Sequence, residues 1–244
     1  EEKEFLDTSQ ENARQEAEQA NRLKRSRRYQ VILGSAAGLL VVGLAFILWF
    51  NGFFAPRQMS GIFNVAVADF GEIDPDGQLS RSQAGKQVSQ WAVNYLRETL
   101  GDDPNVEIWP NKGGGLDRTR IGLITSSDAG KTATDINASL IYYGIIESAS
   151  SPAELTLGFY IAPQFEYSFE DIQGSYSPGR PIRIADMENP GPSVQAELER
   201  QSDLIAQLTL GLTQVQLGNS DAALAAFERL DATLQRDQGH MRAR

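Results

Sequence analysis

The chain has 244 residues, of which 41% are hydrophobic, and it contains one histidine and no cysteine. The absence of cysteine excludes disulfide bonds, thiol nucleophiles, zinc–thiolate sites and iron–sulfur clusters, and a single histidine near the end of the chain cannot form a histidine-based triad deep in a fold. The formal net charge of −10 argues against nucleic acid as a partner, because a nucleic-acid-binding protein needs a basic surface.

Residues 1–29 form a charged segment that we predict to be a cytoplasmic helix. Residues 1–28 contain seven acidic and seven basic side chains, and no glycine or proline interrupts the segment. Its sequence EFLDTSQENARQEAEQANRLKRSRR resembles the linker of bacterial STAND-class signal-transduction ATPases. The resemblance implies that the chain is part of a larger signalling protein whose ATPase lies upstream.

Residues 30–54 carry a long apolar pattern that predicts a transmembrane helix. The stretch Val31–Phe50 has no ionisable group, and a helix of that length spans the roughly 30 Å hydrocarbon core of a bilayer. Several basic residues precede the stretch closely, whereas only Arg57 follows it, which predicts a cytoplasmic amino terminus. We therefore predict a single-pass protein of the plasma (inner) membrane, with the lipid bilayer as a partner and with an extracytoplasmic, periplasmic carboxy-terminal portion. A buried core helix is the alternative interpretation of the same stretch.

Gly34 and Gly38 form a GxxxG pair within this stretch. Small residues at that spacing let two membrane helices approach closely, so the pair predicts a homodimer contact through the membrane helix. Composition alone also produces such pairs in membrane helices.

Residues 58–187 predict a small α/β sandwich, because strand and helix patterns alternate along them. The order is a strand GIFNVAVADF, an amphipathic helix that ends at Gly101, a strand VEIWP, a helix from Asp128 to Asn137, a strand ASLIYYGIIES, and a strand ELTLGFYIAP that we expect to be antiparallel to it. The segments NVAVADF, GKQVSQWAVNYLRETL and INASLIYYGII resemble the amino-terminal α/β domain of TolB and related envelope proteins. That resemblance implies binding of an extracytoplasmic ligand or partner without chemistry.

Two local patterns suggest chemistry and have ordinary structural explanations. The segment TSSDAGKT at residues 125–132 lacks the first glycine of a P-loop, so it represents either a degenerate nucleotide site or a helix start capped by Asp128. The loop DFGEIDPDG contains Asp69, Glu72, Asp74 and Asp76, which represent either oxygen ligands for a hard cation or a solvated turn. An enzyme domain of unknown activity is therefore the alternative to a binding module.

The stretch from Phe165 to Arg183 is rich in aromatic residues, glycine and proline, and only PIRIA within it predicts a short strand. Its aromatic side chains either complete the edge of the core or form an exposed surface for a partner.

Residues 193–244 predict an all-α helical hairpin that resembles a tetratricopeptide repeat. Pro192 suits the first turn of its first helix, and Gly218 lies in the turn between the two helices. The positions that match the packing pattern of the repeat are Leu210, Gly211, Gly218, Ala223 and Phe227. One repeat cannot bury its apolar face alone, so we expect further repeats beyond Arg244.

Taken together, these patterns predict an α/β fold with an amino-terminal transmembrane helix and a carboxy-terminal helical hairpin. We expect a binding or sensor module that acts as a protein–protein interaction scaffold in signal transduction, with a protein partner bound through the hairpin or the α/β domain. We expect no catalytic residue, no cofactor and no metal.

Overall fold

The computed structural model describes residues 58–110, 121–163 and 172–242, with side chains described as far as Gln235. Contacts divide the chain into Glu1–Ala55 and Pro56–Arg244, and the described residues all belong to the second unit. Its strands are β1 (Phe63–Asp69), β2 (Gly71–Ile73), β3 (Leu79–Arg81), β4 (Val106–Trp109), β5 (Ile121–Leu123), β6 (Leu140–Glu147), β7 (Ala153–Ile161), β8 (Gly174–Tyr176) and β9 (Ile182–Ile184). Its helices are α1 (Gln83–Leu100), α2 (Ser126–Ile136), α3 (Pro192–Gln216) and α4 (Ser220–Arg242).

The strands form one curled, mixed sheet with β6 at its centre. β1 and β2 pair in parallel with one edge of β6, and β7 pairs antiparallel with the other edge, as the sequence predicted for β7. β4, β5 and β3 lie along the outer edge of β1 and β2, and β9 and β8 lie along the outer edge of β7. β1 is buried on both faces because helices cover both sides of the sheet, which explains its continuous apolar sequence.

Helix α1 forms because its small and apolar residues recur at the helical period and because its first turn is capped. The hydroxyl of Ser82 accepts a hydrogen bond from the Gly85 N–H at 3.0 Å, and Gly101 occupies the C-cap as predicted. The buried face is centred on Val88, Ala92 and Leu96. Although the apolar spacing of this helix includes Trp91, its side chain lies at the margin of the buried face and is only partly buried.

The two faces of the sheet carry separate apolar cores. One core lies between the sheet and helices α1 and α3 and includes Phe63, Leu96, Tyr142 and Leu198. The other lies beneath helix α2 and includes Trp109, Ala133 and Ile141. Alternate residues of β6 enter opposite cores, as the two-residue period of a strand requires.

The carboxy-terminal helices belong to the α/β fold. Helix α3 begins at Pro192, as predicted, and its side chains Val194, Leu198 and Ile205 are buried in the same core as β1 and β6. Helix α4 packs along α3. The predicted fold class is therefore corrected, because α3 is a layer of the α/β unit and not part of a separate all-α domain.

The predicted transmembrane component of the fold class, and the single-pass membrane localisation with it, are likewise corrected. Within residues 58–110, 121–163 and 172–242, no helix is sufficiently long and apolar to cross a bilayer. The helices in these ranges are amphipathic: α1 carries Lys86 and Arg97, and α3 carries Glu197 and Asp203. Residues 1–29 and 30–54, including Gly34 and Gly38, lie outside the described residues.

Candidate functional site

An apolar groove of about 340 Å³ lies where the sheet meets helices α3 and α4. One side is formed by β7 and β8 and the other by the facing turns of the two helices. Its lining consists of Phe159, Ile161, Ile172, Tyr176, Leu208, Leu212 and Phe227. A volume of this size is at the lower end of the range for small-molecule sites, about 300–1,000 Å³.

Aromatic contacts shape both walls of the groove. The rings of Phe159 and Tyr176, which face each other across β7 and β8, are stacked with their centroids 5.3 Å apart and their planes at 22°. On the opposite wall, Phe227 lies against the backbone of α3 at Gly211, where a Cβ atom would be 2.5 Å from the ring. The glycine therefore lets α4 approach closely enough for Phe227 to line the groove.

Further apolar side chains are exposed on and next to α4. Leu234 follows Phe227 at i+7 on the same helix face and is 39% exposed, and Leu224 is 59% exposed. Tyr176 in the groove wall is 39% exposed. Exposed apolar side chains beside an apolar groove are typical of a protein–protein contact.

The helices that border the groove are acidic. Between residues 192 and 235 there are six acidic residues and two basic residues, Arg200 and Arg229. Arg200 is hydrogen-bonded to Glu197, and this contact is the largest cause that lowers the pKa of Glu197 below its usual value. The potential around the helices is therefore negative and favours a basic partner.

The structure brings together some of the residues that matched a tetratricopeptide repeat. Gly211 and Phe227 are in contact, Ala223 is buried between the helices, and Leu210 is partly buried against the core. Gly218 adopts a φ of +74° in the turn between α3 and α4, a conformation that favours glycine. These positions pack the hairpin, and only Phe227 among them lines the groove.

The segment 125–132 does not have the geometry of a phosphate-binding loop. Helix α2 begins at Ser126, so Gly130 and Lys131 lie within the helix and not in the loop before it. The backbone of Gly130 faces the Tyr160 ring, since a Cβ there would be 2.9 Å from the Tyr160 hydroxyl. Thr125 is the N-cap residue, and its hydroxyl donates to the Asp128 carboxylate at 2.7 Å.

The acidic loop has structural partners. Asp74 accepts hydrogen bonds from the backbone N–H groups of Asp76 and Gln78, which shapes the turn between β2 and β3, and Asp69 forms an ion pair with Arg81 at 3.4 Å. Within the described part of the chain, no three acidic or histidine side chains are grouped so that they could hold a metal ion.

The groups with clearly shifted pKa values lie in structural contacts and do not line the groove. Burial raises the pKa of Tyr142, whose hydroxyl is 3.2 Å from that of Ser202, and burial next to Asp203 raises the pKa of Tyr95. Burial acts to raise the pKa of Glu107, but hydrogen bonds from the N–H groups of Ser60, Trp109 and Gly61 outweigh it and lower that pKa. A catalytic site usually concentrates such perturbed groups in a cleft, which is not the arrangement in the described residues.

The groove is not apparent from the sequence. Of its lining, the sequence patterns mark only Phe227, as a packing residue, and Tyr176, within the aromatic stretch. Phe165, Tyr167 and Phe169 of that stretch lie outside the described residues. Leu208 and Leu212 carry the same one-face pattern as the core residues of α3; Leu212 is buried, and Leu208 is left partly exposed at the groove.

No family model matches the chain, and no curated protein matches it. Two solved structures with detectable similarity are dodecamers of PelC from Paraburkholderia phytofirmans. One, a point variant, is 16% identical, and the match covers 43% of this chain and 61% of the PelC chain with a TM-score of 0.20. The other is 13% identical, and the match covers 62% of this chain and 93% of the PelC chain with a TM-score of 0.26. The chain thus spans about three fifths of the first PelC chain, and TM-scores this low do not bear on function.

Proposed function

We propose that the chain is a protein-binding module without catalysis of its own, and that the groove between the sheet and helices α3 and α4 is its contact surface. The observation that supports this most directly is the lining, which is apolar on every side and in which Tyr176 is exposed and Leu208 and Phe227 are only partly buried. Soluble proteins seldom leave such a surface open unless a partner covers it.

The partner that fits this surface best is an amphipathic helix with basic residues beside its apolar face. Beyond the groove, Leu234 follows the lining residue Phe227 at i+7 along α4, a spacing that suits apolar side chains at i, i+3 or i+4, and i+7 on a second helix. The acidic excess of α3 and α4 supplies charge complementarity to such a helix.

The test is a selection from a displayed library of helical peptides that vary in apolar spacing and in flanking charge. We expect enrichment of peptides with a single apolar face and flanking lysine or arginine. Binding by the enriched peptides should be lost with Leu234→Asp, at a position 39% exposed, and with Tyr176→Glu, which also removes the stacking of Tyr176 on Phe159.

The matched control is Ile62→Asp. Ile62 is also a large, exposed apolar residue, 48% exposed, but it lies outside the groove. If the library yields no enriched class, or if the groove variants bind as the control does, the proposed contact surface is wrong.

A further inference from the structure

A second cleft, also of about 340 Å³, lies on the opposite face of the sheet beside the amino-terminal end of helix α2. Its floor is formed by Tyr143 of β6 with Thr156 and Gly158 of β7, and its walls by Ser126 of α2 and Ser175 of β8. Ile73, Ile145 and Leu157 complete the lining, so the cleft combines apolar surface with several hydroxyl groups, whereas the groove is almost wholly apolar.

The Tyr143 side chain is only 6% exposed, yet its hydroxyl has no hydrogen-bond partner among the described residues. Its ring lies over Gly158, where a Cβ atom would be 2.6 Å from the ring and 2.8 Å from the hydroxyl oxygen. Because Gly158 is part of the cleft floor, the hydroxyl opens into the cleft. The hydroxyl oxygen itself is accessible from the cleft, so it is free to hydrogen-bond to a ligand bound there.

Two neighbouring features border the cleft. The side chain of Thr125 does not cap the first backbone N–H groups of α2. On the other side, β9 and β8 pair with residues 153–155 and 159–161 of β7, and the chain between them bulges outward. Ser177 holds this bulge, with its hydroxyl 3.1 Å from the Leu157 carbonyl oxygen and 2.9 Å from that of Gly179.

The charges of the cleft restrict the ligand. Glu147 lies in the lining and Asp128 in the first turn of α2, so an anion is disfavoured there despite the helix amino terminus. A bare metal ion would need several carboxylates, and no such group occurs in the described ranges. A neutral ligand with many hydroxyls fits, because each protein hydroxyl can both donate and accept a hydrogen bond and a carboxylate accepts strongly.

We propose that this cleft binds a neutral saccharide. The Tyr143 hydroxyl, the hydroxyls of Thr156 and Ser175, and the Glu147 carboxylate would hydrogen-bond to the sugar hydroxyls. The site lies mainly on the other face of the sheet from the apolar groove, with which it shares Tyr176 at the sheet edge, and it does not depend on the proposed protein-binding function.

The experiment is titration of the full chain with maltotriose, cellotriose and chitotriose, followed by NMR shifts of the amides of β7 and β8. We expect at least one trisaccharide to bind with a Kd in the millimolar range. Tyr143→Phe removes only the hydroxyl, and since one hydrogen bond contributes about 0.5–1.5 kcal/mol, it should weaken binding roughly 2- to 12-fold. Thr156→Val, which keeps the side-chain shape at an exposed strand position, should also weaken it.

The matched control is Tyr160→Phe, on the same face of the sheet but outside the cleft lining, and it should bind as the unchanged chain does. The groove variant Leu234→Asp should also leave saccharide binding unchanged. The proposal is overturned if no trisaccharide shifts these amides, if Tyr143→Phe binds as tightly as the unchanged chain, or if inorganic phosphate binds there more tightly than any of the sugars.

Discussion

The backbone of Gly211 in helix α3 lies directly against the ring of Phe227 in helix α4. A Cβ atom at position 211 would be 2.5 Å from Cε1 of Phe227 and 2.9 Å from Cδ1 and Cζ. This single close approach sets the separation of the two helices at the point where they border the apolar groove.

Gly211→Ala tests this approach. Overpacking against the Phe227 ring costs about 1–3 kcal/mol, whereas alanine is about 1 kcal/mol better than glycine in a helix. We therefore expect a net loss of about 1 kcal/mol in the free energy of unfolding, measured by urea denaturation. The control Gly122→Ala places a methyl group where only one atom, at 4.0 Å, is near, and it should change stability little. A gain in stability for Gly211→Ala would contradict the close contact.

Ala223→Leu tests the second point at which the hairpin packs closely. Ala223 is 4% exposed between α3 and α4, so the larger side chain should overpack the interface and lower the free energy of unfolding by about 1–3 kcal/mol. Ala225, two residues further along the same helix, is exposed, and Ala225→Leu should be tolerated. Equal effects of the two substitutions in thermal denaturation would show that α4 has a different orientation.

The longer elements of the fold could be predicted from the sequence, as could the three-residue strand β9 from the alternation in PIRIA, and the other short strands could not. The strands β1, β4, β6, β7 and β9 and all four helices of the described ranges follow from apolar periodicity or composition. Strands β2, β3, β5 and β8 have three residues each, which is too short to show a period, and they form because a long neighbour offers an unpaired edge. The apolar pattern of α3 is clear in the sequence, but a pattern does not say which apolar surface it covers, and for this reason it predicted a separate domain.

Neither cleft could be predicted, because each is formed by residues distant in sequence. In the groove, Ile161 and Leu212 are brought together only by the packing of α3 on the sheet. In the polar cleft, Tyr143 appears in the sequence as one more residue of an apolar strand. That its hydroxyl opens into the cleft is seen only when Gly158 on the neighbouring strand is placed beneath the ring.

Glu107 predicts a pH-dependent contribution to stability. Its carboxylate accepts hydrogen bonds from the backbone N–H groups of Ser60 and Gly61 and from the Trp109 indole, which fastens the segment before β1 to β4. Because the pKa of Glu107 is lower in the folded state than its ordinary value, its contribution is present above that ordinary value and is lost as pH falls through the lowered pKa. Glu107→Gln should therefore be less stable than the unchanged chain at pH 7, and the difference should shrink in strong acid.

Urea denaturation at pH 7 and at successively lower pH measures this difference. Glu98→Gln, at an exposed position of α1, is the charge-matched control and should show no comparable pH-dependent difference. A gap between Glu107→Gln and the unchanged chain that stays constant with pH would exclude the ionised carboxylate as its cause.

Gln201 of helix α3 supports the bulge between β8 and β9, and its removal should loosen that bulge. The side chain is fully buried, and its amide donates hydrogen bonds to the Arg180 carbonyl oxygen at 3.0 Å and to the Glu197 carboxylate at 2.9 Å. The backbone of Gly179 packs against the same amide, where a Cβ atom would be 2.7 Å away.

Gln201→Ala removes both the packing and the hydrogen bonds, and we expect a loss of about 1–3 kcal/mol in the free energy of unfolding. Hydrogen exchange should be faster at the amides of Gly179 and Arg180, while the exchange rates of the β6 amides should change only as far as the global stability changes.

The control is Gln195→Ala. Gln195 is a partly buried glutamine of the same helix, and its side-chain amide donates a hydrogen bond to Glu199. If Gln201→Ala leaves exchange in residues 177–180 unchanged, the bulge is held by Ser177 and the β7 edge alone, and α3 does not position this wall of the polar cleft.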